Sequence, residues 1–235
     1  MWLDFFGGIV LTAVMVFNVN AVVSTLSVSR FAKLALAAII GLWIGLQVAL
    51  ATAGAFAGEL SRTFPLIGMM LAIPLAATAI AAAVSPNVRS ALLELPQPLL
   101  IGLNAGRVLG LFFLLLAANG RLGGPFPQSA GWGDIITGVV ALPLAFVTAR
   151  RPAPDAVFWW NAFGLADLVA AVTLGTLSAN GFVFQAIEAG AGSDAIGSLP
   201  WSLIPTVLVP LYIITHGIIF AQLRRGASRL AENGA

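Results

Sequence analysis

The chain has 235 residues, of which 60% are hydrophobic and 9% charged, with a net charge of +2 and no cysteine; its mean hydropathy is +1.01. A soluble globular domain carries about a quarter of its residues as charged groups, so the composition excludes one and describes an all-α integral membrane protein. The missing cysteines exclude disulfides, thiolate metal sites and thiol nucleophiles, and the scattered basic residues give no clustered soluble face for nucleic acid.

Apolar runs of roughly 20 residues, the length that crosses a bilayer, occur seven times: about 4–28, 32–56, 64–84, 97–118, 132–149, 157–179 and 200–222. Together they predict a seven-transmembrane-helix bundle, one transmembrane domain over residues 1–235. The opening Met1-Trp2-Leu3-Asp4-Phe5-Phe6 lacks the basic region and small-residue site of a cleaved signal, and is read as the start of the first span. Ser29-Arg30, Gly58 to Arg62, Ser85-Pro86-Asn87, Asn119-Gly120-Arg121 and Arg150-Arg151-Pro152 mark the breaks by charge and turn chemistry. Between spans three and four, Val88, Leu92 and Leu95 alternate with Arg89, Ser90 and Glu94 in the pattern of a short interfacial helix. The longest break, 180–199, offers 181–188 as an interface-dipping lid or as an ordinary connector with aromatic anchors.

The eleven basic residues divide unevenly. Arg30, Lys33, Arg89, Arg150, Arg151, Arg224, Arg225 and Arg229 fall on one side, Arg62 and Arg121 on the other, and Arg107 lies inside a span. The positive-inside rule then places the N-terminus outside and the C-terminus in the cytoplasm. Ten arginines to one lysine, with abundant Ala and Gly, suit a GC-rich bacterial genome and hence a multi-pass protein of the bacterial cytoplasmic (inner) membrane.

Polar residues within the spans are the candidates for function, because an ionisable group at mid-depth requires a partner or a cavity. At about 1.5 Å per residue, Arg107 in span four and Asp167 in span six lie about 13 to 15 Å from the same end, which predicts an ion pair. Asp134 is expected in the first turn of span five, at the outer entrance, and His216 in the inner third of span seven. Asn104 and Asn161 add hydrogen-bonding groups. Gly164, Ala171 and Gly175 share a face with Asp167, as Gly131, Gly138, Ala141 and Ala145 do with Asp134, so both faces are expected to pack on protein. Gly102, Gly106 and Gly110 in span four give the strongest helix-packing signal. The segment Gly131 to Ile136 echoes Gly164 to Val169, as an inverted repeat would, although a small apolar alphabet produces such echoes readily by chance. In span seven, Pro205 and Pro210 each remove a backbone donor and predict a kink.

Several chemistries are excluded. The single lysine, Lys33, lies in the first connection, where it cannot hold retinal as a Schiff base. One histidine cannot supply bis-histidine haem or a histidine-rich zinc centre, and no nucleophile elbow or phosphate-binding loop is present. No cofactor, metal ligand set or catalytic residue is assigned.

The reading that results is a small transporter or permeation protein with a polar site between helices four, five, six and seven, built from Arg107, Asp134, Asp167, Asn161, His216 and Asn104. Arg107 would offer charge to an anionic or lipidic small molecule, and Asp167 would balance it when the site is empty. Two alternatives stay open: a membrane-embedded enzyme using the aspartates as acid or base on a lipid or isoprenoid, and a non-catalytic subunit of a homo-oligomer or larger membrane complex. A cavity reaching the Arg107 level favours the first or second, and small-residue stripes left open to lipid favour the third.

Overall fold

The computed structural model describes residues 2–233, with side chains for residues 2–227; Arg229, counted above with the basic side, lies outside the described side chains. Among the described residues there is no strand. Seven helices are long and apolar enough to cross a membrane. The first three spans are α1 (Trp2–Thr25), α2 (Arg30–Thr52) and α4 (Leu66–Val84), with a short α3 (Glu59–Thr63) between the last two. Span four runs from α6 (Gln97–Leu103) through a 3-10 segment (Asn104–Gly110) into α7 (Leu111–Ala118). Spans five and six are α8 (Phe126–Thr148) and α9 (Pro154–Leu177); span seven opens with a π-helical turn (Ile204–Leu208) that leads into α10 (Val209–Asn233).

The helix starts follow from local chemistry. Ser29 Oγ accepts from the Ala32 amide at 3.2 Å to cap α2, and Ser85 Oγ accepts from the Val88 amide at 3.3 Å to cap α5 (Pro86–Leu93), satisfying amides that lack intrahelical acceptors. A short helix is therefore present where one is expected at 87–95, as α5. Prolines occupy the first turn of α5, α6, α8 and α9, where the missing donor loses no hydrogen bond.

One boundary differs from the expectation in a way that matters. Span five starts at Phe126, not near residue 132. The Pro125-Phe126-Pro127 stretch begins the helix, and Gly131-Trp132-Gly133 continues it because the glycines lie against neighbouring helices. Asp134 is thus the ninth residue of α8 rather than a member of its first turn, about 12 Å in from the helix start. It is not at the surface entrance.

Spans four to seven form the centre. α8 packs on the 3-10 segment, α6, α7 and α9, while α10 packs on α9, α4 and α6. α2 rests mainly on α1, and Gln47 is its only buried residue among those described. One buried cluster, including Leu11, Phe113, Phe126 and Trp201, fills the half near the 180–199 loop; a second, including Leu100, Ile101, Val157 and Ile219, fills the half near the basic residues.

The prolines of span seven are accommodated by specific partners. Pro210 has no amide to donate to the Thr206 carbonyl four residues earlier, and the Trp43 indole of α2 donates to that carbonyl instead, at 3.1 Å. The first turn is wound as π-helix, so the Val209 amide donates to Ile204 O. At the same end of the bundle, Asp4 Oδ1 accepts from Trp201 Nε1 at 2.8 Å and from Arg121 Nη1 at 2.7 Å, joining α1 to the loops before spans five and seven. Residues 181–188 of the 180–199 loop form no helix. The Val183 amide donates to Arg62 O, and the Ala186 and Ile187 amides donate to Leu177 O, while Val183 and Phe184 are exposed, as anchors at a membrane interface are.

Candidate functional site

The centre of the site is the Arg107 guanidinium, whose side chain is fully buried in the 3-10 segment of span four. A 3-10 helix repeats every three residues, so Asn104, Arg107 and Gly110 share one face, and these three are the buried residues of the segment. The glycines 102, 106 and 110, expected as one α-helical stripe, therefore do not all face one helix: Gly102 and Gly110 face α8, while Gly106 faces spans seven and one. A Cβ would meet Ala145 at Gly102, Tyr212 and Val14 at Gly106, and Asp134 at Gly110. The tighter winding redistributes them.

Four of the five guanidinium N–H groups have acceptors. Nε donates to Asp134 Oδ1 at 2.7 Å and Nη2 to Asp167 Oδ2 at 2.6 Å. Nη1 donates to the Gly164 carbonyl at 2.9 Å and lies 3.1 Å from His216 Nε2. The Arg107–Asp167 pair expected from matched depth is thus present, and Asp134 joins it. A buried guanidinium suits this role because its planar fork reaches several acceptors at once.

The hydrogen bonds also fix the histidine. Asn161 Nδ2 donates to the His216 carbonyl at 3.0 Å, which leaves Asn161 Oδ1 to face His216 Nδ1 at 2.7 Å. An amide oxygen only accepts, so Nδ1 carries the hydrogen and Nε2 offers its lone pair to Arg107. His216 is then a neutral acceptor in this arrangement. Its ring packs on Trp160, centroids 5.4 Å apart, and Trp160 Nε1 donates to Thr137 O at 3.1 Å.

Room for the cluster comes from missing side chains. A Cβ at Gly133 would overlap the Asp167 carboxylate, and one at Gly164 would lie 2.7 Å from His216 Cε1 and 3.0 Å from Arg107 Nη1. Gly133 and the buried Trp160, whose place near a span end suggests an interfacial anchor, are not among the candidates that the sequence offers, though they adjoin two that are, Asp134 and Asn161. Asn104 stands apart: its Nδ2 donates to Leu100 O at 3.0 Å and to Thr215 Oγ1 at 3.3 Å, a tie between spans four and seven. Among the described residues no group of acidic, histidine or cysteine side chains could hold a metal ion.

A cavity of about 220 Å³ reaches this cluster from the 180–199 end. Residues of α4 and α9 line it, as do Ile204, Pro205 and Val209 of span seven. Its mouth has Arg62, Asn180 and Asp194, its walls are largely apolar, and Asp134 is the charged group on its floor. The Asp134 side chain keeps 13% of its surface accessible, against 0% for Arg107. Arg107 does not line the cavity, so the charged group at its inner end is a carboxylate.

A family model matches residues 64–224, the stretch from just before α4 to the later turns of α10. The chain belongs to that family, described as "Domain of unknown function (DUF8737)". Every residue of the Arg107 cluster and nearly the whole cavity lining fall in the matched stretch, whereas α1 and α2 lie outside it. Neither the curated proteins nor the solved structures give a match to the chain.

Proposed function

We propose that this multi-pass membrane protein is a small transporter or permeation protein of the cytoplasmic membrane, with the cavity as one half of its solute path. The observation that carries the reading is that the cavity runs from the loop end to Asp134, a member of the buried ion cluster. Two spans support it further, because both lose regular α-helix near the cavity: span four as a 3-10 segment and span seven as a proline-bearing π turn. Interrupted helices around a mid-membrane site are a recurrent feature of secondary transporters. Seven of the eight basic residues that sequence counting puts on the inner side lie in the described part of the end opposite the cavity mouth, so positive-inside orientation would open the cavity outward.

The absence of cysteine from the chain makes a direct test clean. Ala171 lines the cavity one turn beyond Asp167, and Ala171→Cys in oriented proteoliposomes should react with an impermeant maleimide from the loop end and, more slowly, from the basic end. Reaction from the loop end alone would sink the permeation reading. Gly226→Cys reports orientation in the same experiment and should stay unlabelled in intact cells.

The enzyme reading has less support, since Asp167 does not line the cavity and the two carboxylates are joined through one guanidinium. The subunit reading has one observation in its favour. Ala38, Gly41, Gly45 and Ala49 form an exposed small-residue stripe on α2, and a Cβ at Gly41 or Gly45 would meet nothing. Such a stripe suits close helix approach. If it joins copies of this chain, Gly41→Leu should convert an oligomer in mild detergent to a monomer by light scattering; a wild-type monomer would end that reading.

A further inference from the structure

The chemistry of the cavity narrows what it would hold. Four phenylalanines, Phe56, Phe113, Phe126 and Phe182, line it, and its floor is the Asp134 carboxylate. Arg107 Nε occupies Oδ1 of that carboxylate, which leaves Oδ2 for a ligand. With both aspartates ionised, Asp134, Arg107 and Asp167 sum to one net negative charge, and the guanidinium cannot offset it further. Four of its five N–H donors are already directed at Asp134, Asp167, Gly164 and His216.

We propose that the cavity binds a lipophilic organic monocation, its charged head at Asp134 and its apolar body among the phenylalanines. This rests on the solute-path reading above and names the substrate class for that path. An anion would place like charge on the carboxylate. A neutral lipid tail would fill the apolar walls but leave Oδ2 desolvated without a partner, which is unfavourable for a buried charged acceptor. A monocation neutralises the cluster, and phenylalanine faces attract cations in addition to supplying apolar contact. At about 220 Å³ the cavity is smaller than the roughly 300 to 1,000 Å³ of pockets for drug-sized ligands, which restricts it to a small molecule. A single aromatic ring with a compact ammonium head matches that scale.

The test uses the full chain in lipid nanodiscs with benzyltrimethylammonium as probe, beside its uncharged carbon isostere neopentylbenzene and the anion phenylacetate, with empty nanodiscs subtracted. The cation should bind at least about tenfold more tightly than the isostere, which corresponds to about 1.4 kcal/mol, and phenylacetate should not bind. Asp134→Asn keeps an oxygen for Arg107 Nε and should abolish the cation preference while leaving isostere binding unchanged. Phe182→Ala, in the loop and outside the helical core, should weaken the cation about two- to fivefold. Equal binding of cation and isostere would overturn the proposal, as expected if a proton or a lipid tail satisfies the site instead. So would a cation preference that survives Asp134→Asn. Cation-selective binding with maleimide reaction from the loop end alone would keep the ligand class and refute only the transport reading.

Discussion

Replacing Arg107 with alanine is expected to be among the most damaging single changes in this chain. The substitution leaves the Asp134 and Asp167 carboxylates, and the Gly164 carbonyl, without donors that now lie 2.6 to 2.9 Å away. Removing one partner of a buried ion pair typically destabilises by about 3 to 5 kcal/mol, because the remaining charge is left desolvated. Here two carboxylates are stranded together. Arg107→Lys should help little, since one ammonium on a flexible stem cannot address acceptors arranged around a planar fork. The variant with all three charges removed, Arg107→Leu with Asp134→Asn and Asp167→Asn, should recover much of the loss, as paired polar removal is far less harmful than breaking a pair. Thermal unfolding of the purified protein in detergent gives the comparison. An Arg107→Ala midpoint equal to wild type would show that the cluster contributes nothing to the folded bundle.

That expectation combines one feature the sequence reveals with one it hides. The seven spans follow from apolar length, and the Arg107–Asp167 pair follows from counting residues inward from one end. Asp134 was visible as a candidate, but its depth beside Arg107 was hidden by a boundary. Gly131-Trp132-Gly133 has the composition of a helix entrance, yet the glycines are there to let α8 approach Gly110, Leu114 and Asp167, and the helix starts two turns earlier. The winding of span four was hidden too. Seven residues at about 2.0 Å rise instead of 1.5 Å lengthen the span by about 3.5 Å and change which residues share a face. Tertiary contact decides such winding, and no periodicity in the segment announces it. His216 was visible as an isolated histidine, but its role as an acceptor for Arg107 depends on the orientation of the Asn161 amide across two helices. The cavity had no sequence signal, because its walls come from α3, α4, α7, α8, α9, span seven and two loops.

The glycines give a sharper comparison, since the same substitution should have opposite signs at two positions of neighbouring spans. In a helix, glycine to alanine is favourable by about 1 kcal/mol when the added methyl meets nothing. At Gly102 the nearest atom to a new Cβ is Ala145 Cβ at 3.8 Å, an ordinary contact; Gly102→Ala should leave stability unchanged or raise it by up to about 1 kcal/mol. At Gly133 the new methyl falls on the Asp167 carboxylate. That side chain cannot simply rotate away without releasing Arg107 Nη2, and the backbone of α8 cannot retreat without opening its contacts with the 3-10 segment. Gly133→Ala should therefore destabilise by about 1 to 3 kcal/mol from overpacking, with a further loss as the ion pair lengthens. The two contributions separate when Gly133→Ala is combined with Asp167→Ala, which removes the colliding group. Non-additivity in a double-mutant cycle of unfolding midpoints, with the glycine substitution nearly neutral in the Asp167→Ala background, is the expected result. Full additivity would mean that Gly133 serves helix packing alone and makes no room for the carboxylate that Arg107 holds.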